Sequence, residues 1–380
     1  MARMNAVLAL NCGSSSLKFG LFDFNGEDAS AIALGEAEEI GRSESNFWLL
    51  RAGEHAKQEE RITLTDHSAA LAHALDALRG LGAPQIQAIG HRFVHGGPRL
   101  RRHVRLTREV LEELRGAVDY APLHLPAALA VVDAVEQRMP RIPQVACLDT
   151  AFHSTMPDVA RTFALPEDVR RRGVERYGFH GLSVESILAQ LQPVPARLIV
   201  AHLGNGASIT AVRNGQSIDN SMGLTPSGGV MMGTRCGDID PGVLTYLMSH
   251  GYDSTETLEQ IFDHRSGLLG ISGETSDVRT LLAARKENPR ADLALRMFCY
   301  SVQKTIAAMA AALGGVDAIV FTGGIGEHAV EVREQITAGV AFLGKHDVIV
   351  LPAEEELQIG RITANLTGKE VSGAAKTLEG

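Results

Sequence analysis

The chain has 380 residues, of which 45% are hydrophobic and 21% are charged, and this is the composition of a folded globular protein. Its length predicts two domains, because single cores seldom grow beyond about 250–300 residues. The net charge of -9 argues against duplex nucleic acid as the main partner, since neutralising phosphates requires a basic surface.

The first 150 residues are predicted to contain strands followed by helices. They open with an apolar strand, a polar loop and a second strand, which is a hairpin pattern. The predicted strands are Ala6–Leu10, Leu17–Phe22, a segment around Ile32, Ile62–Leu64, Ile86–Ile89 and Val145–Leu148. The predicted helices are Ser68–Arg79, Thr107–Arg115 and Pro126–Arg138. We expect Ser68 to be the N-cap of the first helix.

The same order recurs in the rest of the chain. The predicted strands are Leu198–Leu203, Ser208–Val212, Ser217–Ile218, Ala318–Phe321 and Val348–Leu351. The predicted helices are Pro241–His250, Thr255–Phe262, Asp277–Arg285 and Ala291–Leu313. Because a strand-loop-strand unit followed by helices occurs twice, the sequence predicts a duplicated α/β protein with a cleft between its halves and a boundary near residue 150.

The cysteines and the hydropathy pattern indicate the compartment. The four cysteines are far apart and form no CxxC pair: Cys12, Cys147, Cys236 and Cys299. Neither a zinc knuckle nor a disulfide framework is therefore expected. No stretch approaches the roughly 18 apolar residues of a membrane span, and residues 1–10 are too short for a signal peptide. We expect a cytoplasmic protein that has no membrane partner.

Two loops, each between predicted strands, are candidate phosphate sites. The first, Asn11–Lys18, offers Gly13 for close backbone approach, three serine hydroxyls and the charge of Lys18. The second is His202–Ser208, with the sequence HLGNGAS. Either loop alone is also typical of a simple hairpin turn. The occurrence of one loop at the start of each half favours a nucleotide gripped from two sides.

A third glycine-rich segment, Phe321–Glu327, ends a predicted strand and opens onto a helix. Turns of this kind expose backbone N–H groups and let a base or a ribose approach. We therefore expect it to contribute to a nucleoside site.

Charged residues with apolar or glycine neighbours are the candidates for anion binding. Arg92 and Arg235 have such neighbours, whereas the runs Arg99–Arg105 and Arg170–Arg172 are predicted to be solvated surface. A guanidinium group matches carboxylate and phosphate oxygens with two parallel hydrogen bonds. Asp149 follows a predicted strand, where it could hold Mg²⁺ or simply cap the next segment.

Together these motifs resemble those of the acetate kinase family, within the acetate and sugar kinase/Hsp70/actin superfamily. The resemblance extends over nearly the whole chain and preserves the order of the motifs. Its most specific segments are Asn11–Lys18, Gly90–Gly97, Asp149–His153, Tyr177–Gly181, His202–Ser208, Met232–Pro241 and Phe321–Glu327.

The resemblance implies a fold, an activity and an assembly. The fold is a two-domain, duplicated ribonuclease H-like (actin-like ATPase) fold with the active site in the interdomain cleft. Residues 1–150 with about 352–380 form the N-terminal domain in this interpretation, and residues 151–351 form the C-terminal domain. The activity is reversible in-line transfer of the ATP γ-phosphoryl group to acetate, with Mg²⁺ or, as its substitute, Mn²⁺, in a homodimer.

Matching positions then imply roles for individual residues. The catalytic positions are Arg92, His124, Asp149, His180, His202 and Arg235. The nucleotide-binding positions are Asn11, Ser14, Ser16, Lys18, His202, Leu203, Gly204, Asn205, Gly206, Asp277, Val278, Arg279, Gly323, Gly324, Ile325, Gly326 and His328. The positions around the carboxylate and its methyl group are Arg92, Val94, Leu123, Phe179 and Pro226. The metal positions are Asn11 and Glu355.

Two positions differ from the family pattern or leave a choice. The family segment Gly-Ile-Gly-Glu-Asn ends here in His328, and three consecutive glutamates begin at Glu354. The spacing to Leu357 and Ile359 favours Glu355 as the metal-linked glutamate. The segment beyond it, through residue 380, differs more from the family, and no helix or strand is predicted there.

Two other functions are compatible with the residues. One methylene in an apolar pocket changes binding by only about 1–3 kcal/mol, so a propionate or butyrate kinase is an alternative. A nucleotide switch of the actin or chaperone type would need the phosphate loops, but it would not need the arginines and His180 beside an apolar pocket.

Overall fold

The computed structural model describes the backbone of residues 5–26, 28–122 and 124–374, and the side chains of these residues except residue 5 and residues 369–374. The chain forms two compact units, Met1–Ala151 with Glu354–Gly380 and Phe152–Ala353. Each unit is built on its own sheet. The limits of the units lie within two residues of the sequence-based division at residues 150 and 352.

The sheet of the first unit has a central antiparallel hairpin. The strands are β1 (Asn5–Cys12), β2 (Ser16–Asn25), β3 (Asp28–Glu38), β4 (Ser45–Arg51), β5 (Gln58–Ile62), β6 (Ile86–Phe93), β7 (Val104–Arg105) and β8 (Gln144–Leu148). Their order across the sheet is β5-β4-β3-β2-β1-β6-β8-β7. Strand β1 is antiparallel to β2 and parallel to β6, and β6 is parallel to β8.

Helices α1 (His67–Gly80), α2 (Arg108–Gly116) and α3 (Leu125–Arg138) belong to the same unit. The predicted cap of α1 is wrong by two residues. The carboxylate of Asp66, not the hydroxyl of Ser68, accepts a hydrogen bond from the Ala69 N–H at 2.8 Å. Aspartate and serine are equally good N-caps, and Asp66 is the residue whose backbone is still extended before the helix begins.

The second sheet repeats this arrangement. Its strands are β9 (Arg197–Leu203), β10 (Ala207–Arg213), β11 (Gln216–Asn220), β12 (Ala318–Thr322) and β13 (Asp347–Val350). In the order β11-β10-β9-β12-β13, the first three strands are antiparallel neighbours and the last two extend the sheet in parallel. The series β3-β2-β1-β6-β8 has the same directions. The predicted duplication of an α/β unit is confirmed.

Ten helices belong to the described part of the second unit. They are α4 (Asp158–Arg161), α5 (Glu167–Arg170), α6 (Gly181–Gln190), α7 (Pro241–Met248), α8 (Thr255–Glu259), α9 (Gly267–Ser272), α10 (Val278–Ala284), α11 (Pro289–Leu313), α12 (Gly323–His328) and α13 (Val330–Gly339). The predicted helix Thr255–Phe262 is α-helical only to Glu259 and continues as a π-helical turn. Val184 and Ile187 of α6 pack on the buried side chains of β9 and β12.

A final helix, α14 (Glu355–Ala374), returns to the first unit. The sequence predicts no helix or strand in this segment, so the structure corrects the prediction. A Cβ added to Gly90 of β6 would lie 2.1 Å from Thr363 Oγ1 and 2.6 Å from Ile359 Cγ2, so the helix lies directly against the sheet. Within the described part of the chain, every helix is too short or too polar to be a membrane span.

Candidate active site

The first candidate loop connects β1 and β2. Asn11 and Lys18 are opposite each other in the antiparallel register, and the Gly13 N–H donates to the Ser16 carbonyl at 2.9 Å. The loop therefore turns tightly, which leaves Ser14 exposed at its tip. Lys18 Nζ lies 3.9 Å from a carboxylate oxygen of Glu36, and the lysine side chain is 52% exposed. The loop has the backbone turn and the accessible hydroxyl that phosphate binding needs.

Arg92 links three elements of the first unit. It comes from β6, and its Nε and Nη2 both donate to Asp149 Oδ2, at 2.9 and 2.6 Å. Its Nη1 donates to Asn11 Oδ1 at 2.9 Å. Strands β6 and β8 are parallel neighbours with Arg92 opposite Cys147, so Asp149 at the end of β8 is within reach. Arg92, Asp149 and Asn11 are predicted separately from the sequence, and the structure connects them in one hydrogen-bond network.

Two glutamates complete this network through the Asn11 amide. Asn11 Nδ2 donates to Glu355 Oε2 at 3.1 Å and to Glu356 Oε1 at 2.9 Å. Sequence reasoning selected Glu355 and missed Glu356. The run of three glutamates was the available signal, but only the start of α14 at Glu355 shows that two successive carboxylates face one amide.

Burial determines the electrostatics of this group. Burial raises the pKa of Asp149 to about 6, although the Arg92 guanidinium acts to lower it. Burial also raises the pKa of Glu356, and the charge of Glu355 adds to that effect. Asp149 Oδ1 is buried and has no hydrogen-bond partner among the described residues. A buried carboxylate oxygen with a free lone pair is suited to accept a cation or a polar ligand atom.

The second candidate loop connects β9 and β10, and a network of histidines lies beside it. The Gly204 N–H donates to the Gly206 carbonyl at 3.0 Å. The imidazole rings of His180 and His202 stack with their centroids 4.2 Å apart. His180 Nδ1 is 3.0 Å from Ser208 Oγ, and His202 Nδ1 is 2.8 Å from Ser183 Oγ.

Arg235 lies close to the same loop. A Cβ added to Gly206 would be 3.3 Å from Arg235 Nη1 and 3.5 Å from His180 Nε2. Arg235 Nη1 donates to the Pro226 carbonyl at 3.2 Å. The Gly233 N–H donates to the Asn205 carbonyl at 3.1 Å, which joins the arginine loop to the second phosphate loop. The structure thus brings the Arg235 guanidinium and the His180 imidazole next to Gly206, and the His202 ring stacks on His180.

Comparisons with known proteins agree with this geometry. A model of the acetokinase family matches residues 6–359. The chain is 42% identical to the acetate kinase of Bacteroides thetaiotaomicron over 96% of the chain and 100% of that protein. The chain belongs to the acetokinase family. The match confirms the resemblance seen in the sequence.

Two solved structures show the same fold. The crystal structure of Porphyromonas gingivalis acetate kinase has a TM-score of 0.84 at 38% identity, covering 96% of this chain and 100% of that chain. The structure of a propionate kinase from Francisella tularensis has a TM-score of 0.89 at 36% identity, covering 96% of this chain and 100% of that chain. The predicted duplicated, actin-like α/β fold of the acetokinase family is confirmed. The expected location of the active site between the halves stays a prediction.

The candidate nucleoside positions of this family member lie in two places of the second unit. Gly323 adopts φ +77°, and a Cβ there would be 2.8 Å from the Leu203 carbonyl oxygen and 3.2 Å from His202 Nε2. A Cβ on Gly324 would meet no heavy atom within 4 Å. Asp277 caps α10 and pairs with Arg279, whose side chain is 89% exposed. The strand end at Gly323 therefore lies beside the second loop and is open above Gly324.

The remaining predicted positions are less closely connected to these groups. His124 immediately precedes α3, and His328 ends α12 with an exposed side chain. Val94 and Phe179 are buried. Leu123 lies outside the described residues.

The residues fit a magnesium ion that is shared with phosphate. Among the residues that the structure describes, no group of three or more histidine, cysteine or acidic side chains could enclose a metal by itself. Mg²⁺ in phosphate-transfer sites usually takes one or two carboxylates and completes its shell with phosphate oxygens and water. The unpartnered Asp149 Oδ1 meets that requirement, and the Glu355 carboxylate is part of the same network through Asn11.

Proposed function

We propose that this protein catalyses the reversible transfer of the γ-phosphoryl group of ATP to acetate, which gives acetyl phosphate and ADP. The observation that carries the proposal is the buried arginine network of Arg92, Asp149 and Asn11 in a member of the acetokinase family. A guanidinium held by a buried carboxylate keeps a fixed direction, and a fixed cation is what a carboxylate nucleophile needs beside a phosphoryl group.

The chemistry requires positive charge more than it requires a base. A carboxylate is already ionised at neutral pH, so it needs no proton removed before it attacks phosphorus. Both reactants are anions, and their approach in line is opposed by repulsion. We propose that Arg92 and Arg235 neutralise charge on the carboxylate and on the transferring phosphoryl group. His180, His202 and His124 act as polar contacts to that group.

A divalent cation is part of the proposal. Mg²⁺, with Mn²⁺ as the substitute, would be held by Asn11 and Glu355, with Asp149 as a positioning or metal-linked carboxylate. When bound, it would neutralise charge on the nucleotide phosphates. Hydrogen bonds with Arg92 and with two glutamates fix the orientation of the Asn11 amide at this site.

The nucleotide positions are proposed from the same family match. The first loop would contact phosphates through Ser14, Ser16 and Lys18, and the second loop would do so through its backbone from His202 to Gly206. The nucleoside would lie against Asp277–Arg279 and Gly323–Gly326, with His328 at the end of that segment. The acyl methyl group would lie among Val94, Leu123, Phe179 and Pro226.

Propionate or butyrate phosphorylation is the second candidate, and the similarity to the Francisella propionate kinase supports testing it. The assay supplies ATP, Mg²⁺ and hydroxylamine with acetate, propionate or butyrate, and it measures acyl hydroxamate. We expect the highest kcat/KM with acetate. A higher kcat/KM with propionate or butyrate would identify the protein as a propionate or butyrate kinase. An absence of hydroxamate with all three acids would contradict the proposed kinase activity.

The assembly and compartment are proposals as well. We propose a homodimer in the cytoplasm, with a carboxylate and ATP as its small-molecule partners. Support for the dimer comes from α7, an apolar helix that has no buried residue.

A further inference from the structure

The turn that carries His180 has an unusual backbone. Gly178 has φ +72° and His180 has φ +58°, so a left-handed glycine and a left-handed histidine flank Phe179. A non-glycine residue seldom adopts this region, and it persists there only where the surroundings enforce it. Neighbouring residues must therefore stabilise the left-handed conformation of His180.

Two buried side chains hold the peptide groups of Phe179. Its carbonyl accepts from His153 Nε2 at 2.9 Å and from Asn220 Nδ2 at 3.2 Å. Its N–H donates to Asn220 Oδ1 at 3.4 Å. His153 is 1% exposed and Asn220 is 0% exposed, so water does not compete for these bonds.

The contacts of His153 fix its tautomer. A carbonyl oxygen can only accept, so the Nε2 that faces Phe179 carries the hydrogen. Nδ1 then accepts from the hydroxyl of Ser217 at 2.9 Å. Burial lowers the pKa of His153 to about 4, so the ring is neutral at the pH of any ordinary kinase assay. His153 is thus a fixed hydrogen-bond donor.

The imidazole also fills the space next to the turn. A Cβ on Gly178 would lie 2.7 Å from His153 Cγ and 2.9 Å from Asn220 Cβ. The position of the Phe179 peptide is therefore set by both packing and hydrogen bonds. His180 is the next residue, and its ring stacks on His202 and contacts Ser208.

We propose that His153, together with Asn220, is a positioning residue that holds the His180 imidazole in its working orientation. The inference rests on the proposed kinase function and on the role of His180 in it. His153 contacts the Phe179 carbonyl, so in this proposal it affects His180 through that turn. A misplacement of a catalytic group by about 1 Å can cost about a hundredfold in rate.

Two conservative variants separate the hydrogen bond to Phe179 from the rest of the His153 environment. In His153→Gln the amide nitrogen can replace Nε2 and still donate to Phe179. In His153→Asn the shorter side chain can still meet Ser217 but leaves the Phe179 carbonyl without this donor. We expect His153→Gln to retain most of kcat and His153→Asn to lose about tenfold to a hundredfold in kcat, with a much smaller change in KM for ATP.

A double-mutant cycle with His180→Ala tests the coupling. If His153 acts through His180, His153→Asn lowers kcat in the wild-type background and has little further effect once His180 is alanine. Equal losses in both backgrounds, or equal losses in the Gln and Asn variants, overturn the proposal. If His153→Asn does not fold by circular dichroism, Asn220→Ala, which removes the other donor to Phe179, replaces it in the same cycle.

Failure of the inference is distinguishable from failure of the proposed function. Hydroxamate formation by the wild type tests the kinase itself. A wild type that forms acyl phosphate, with additive losses in the cycle, rejects the role of His153 and leaves the kinase intact. A wild type that forms none rejects the kinase.

Discussion

The Arg235 side chain lies beside Gly206 and His180, and it contacts the Pro226 carbonyl and the Met232 sulfur. In the proposed mechanism, the Arg235 cation stabilises charge that develops on the transferring group. We expect Arg235→Ala to lower kcat/KM by about a hundredfold to a thousandfold, the effect of removing one donor to a developing oxyanion. Steady-state kinetics with acetate and ATP measure it.

The control for this prediction is an arginine of the surface. Arg108→Ala removes a side chain that is 89% exposed and pairs only along its own helix with Glu112. We expect kcat/KM within a factor of two of the wild type, because exposed pairs of this kind contribute about 0.3–0.5 kcal/mol to stability. Equal activities of the two variants would remove Arg235 from the mechanism.

We expect the raised pKa of Asp149 to make the proposed reaction sensitive to pH. Burial raises its pKa to about 6, so acid conditions protonate the carboxylate that orients Arg92. We expect kcat/KM to fall below about pH 6, since this parameter reports ionisations of the free enzyme. Initial rates between pH 5 and pH 8 at fixed free Mg²⁺ test this, and a flat profile down to pH 5 would contradict it.

The raised pKa of Asp149 also makes the free energy of unfolding depend on pH. Stability falls as pH rises, whereas the activity is expected to fall as pH decreases. Because folding raises the pKa of Asp149 from 3.8 to about 6, its contribution to stability is present below pH 3.8 and is lost as pH rises through 6. The unfolding free energy of the wild type relative to Asp149→Asn should therefore fall between pH 4 and pH 7. Asp317→Asn is the control, because Arg197 lowers the pKa of Asp317 below 3.8, so its contribution to stability is lost only in more acid solution and should stay nearly constant between pH 4 and pH 7.

At the scale of elements, α14 connects the sheet of the first unit to the candidate metal site. Its start carries Glu355 and Glu356 against Asn11, and its side chains Ile359 and Thr363 lie over Gly90. The Ile359 carbonyl would be 3.2 Å from a Cβ at position 90, so the helix backbone itself is close. Gly90 is therefore required for the approach of the helix.

We expect Gly90→Ala to lower the unfolding free energy by about 1–3 kcal/mol, the usual cost of overpacking. Because the displaced helix carries both glutamates, the apparent affinity for Mg²⁺ should fall too. The matched control is Gly368→Ala on the same helix, where a Cβ meets nothing within 4 Å. It should be neutral or stabilising by up to about 1 kcal/mol. Denaturant unfolding and Mg²⁺ titration of activity distinguish the two.

The elements also show how far sequence reasoning reaches. Apolar runs such as the buried strand β9 and the two hairpin loops were predicted because strand periodicity and turn chemistry are local properties. Helix α14 was not predicted, because the glycines at 360 and 368 lower its helical propensity. Burial of the helix against the sheet compensates for this loss. Tertiary packing overrides propensity here.

The candidate site could be predicted only in part for a related reason. Arg92 and Asp149 were selected individually, because one has apolar neighbours and the other ends a strand. Their contact depends on the parallel pairing of β6 and β8, which are more than 50 residues apart in sequence, and local patterns do not determine that pairing. Glu356 and His153 were missed because their partners, Asn11 and Phe179, are 345 and 26 residues away in the chain.

At the scale of the whole molecule, the exposed apolar surface argues for association. Helix α7 has the sequence PGVLTYLM, and the side chains of Tyr246 and Met248 are 61% and 52% exposed. Tyr300 on α11 is 62% exposed as well. A helix that is apolar and unburied within its own chain marks an interaction surface. The family resemblance implies a second copy of this chain as the partner.

We expect the wild type to have twice the mass of the chain by light scattering, and Tyr246→Lys to shift it toward the monomer. A lysine in the centre of an apolar interface must bury an unpaired charge, which costs several kcal/mol. Val159→Lys is the control, because that valine is 90% exposed and lies outside α7. A dimer that survives Tyr246→Lys would place the interface elsewhere. A monomeric wild type would mean that the apolar surface of α7 meets a different partner.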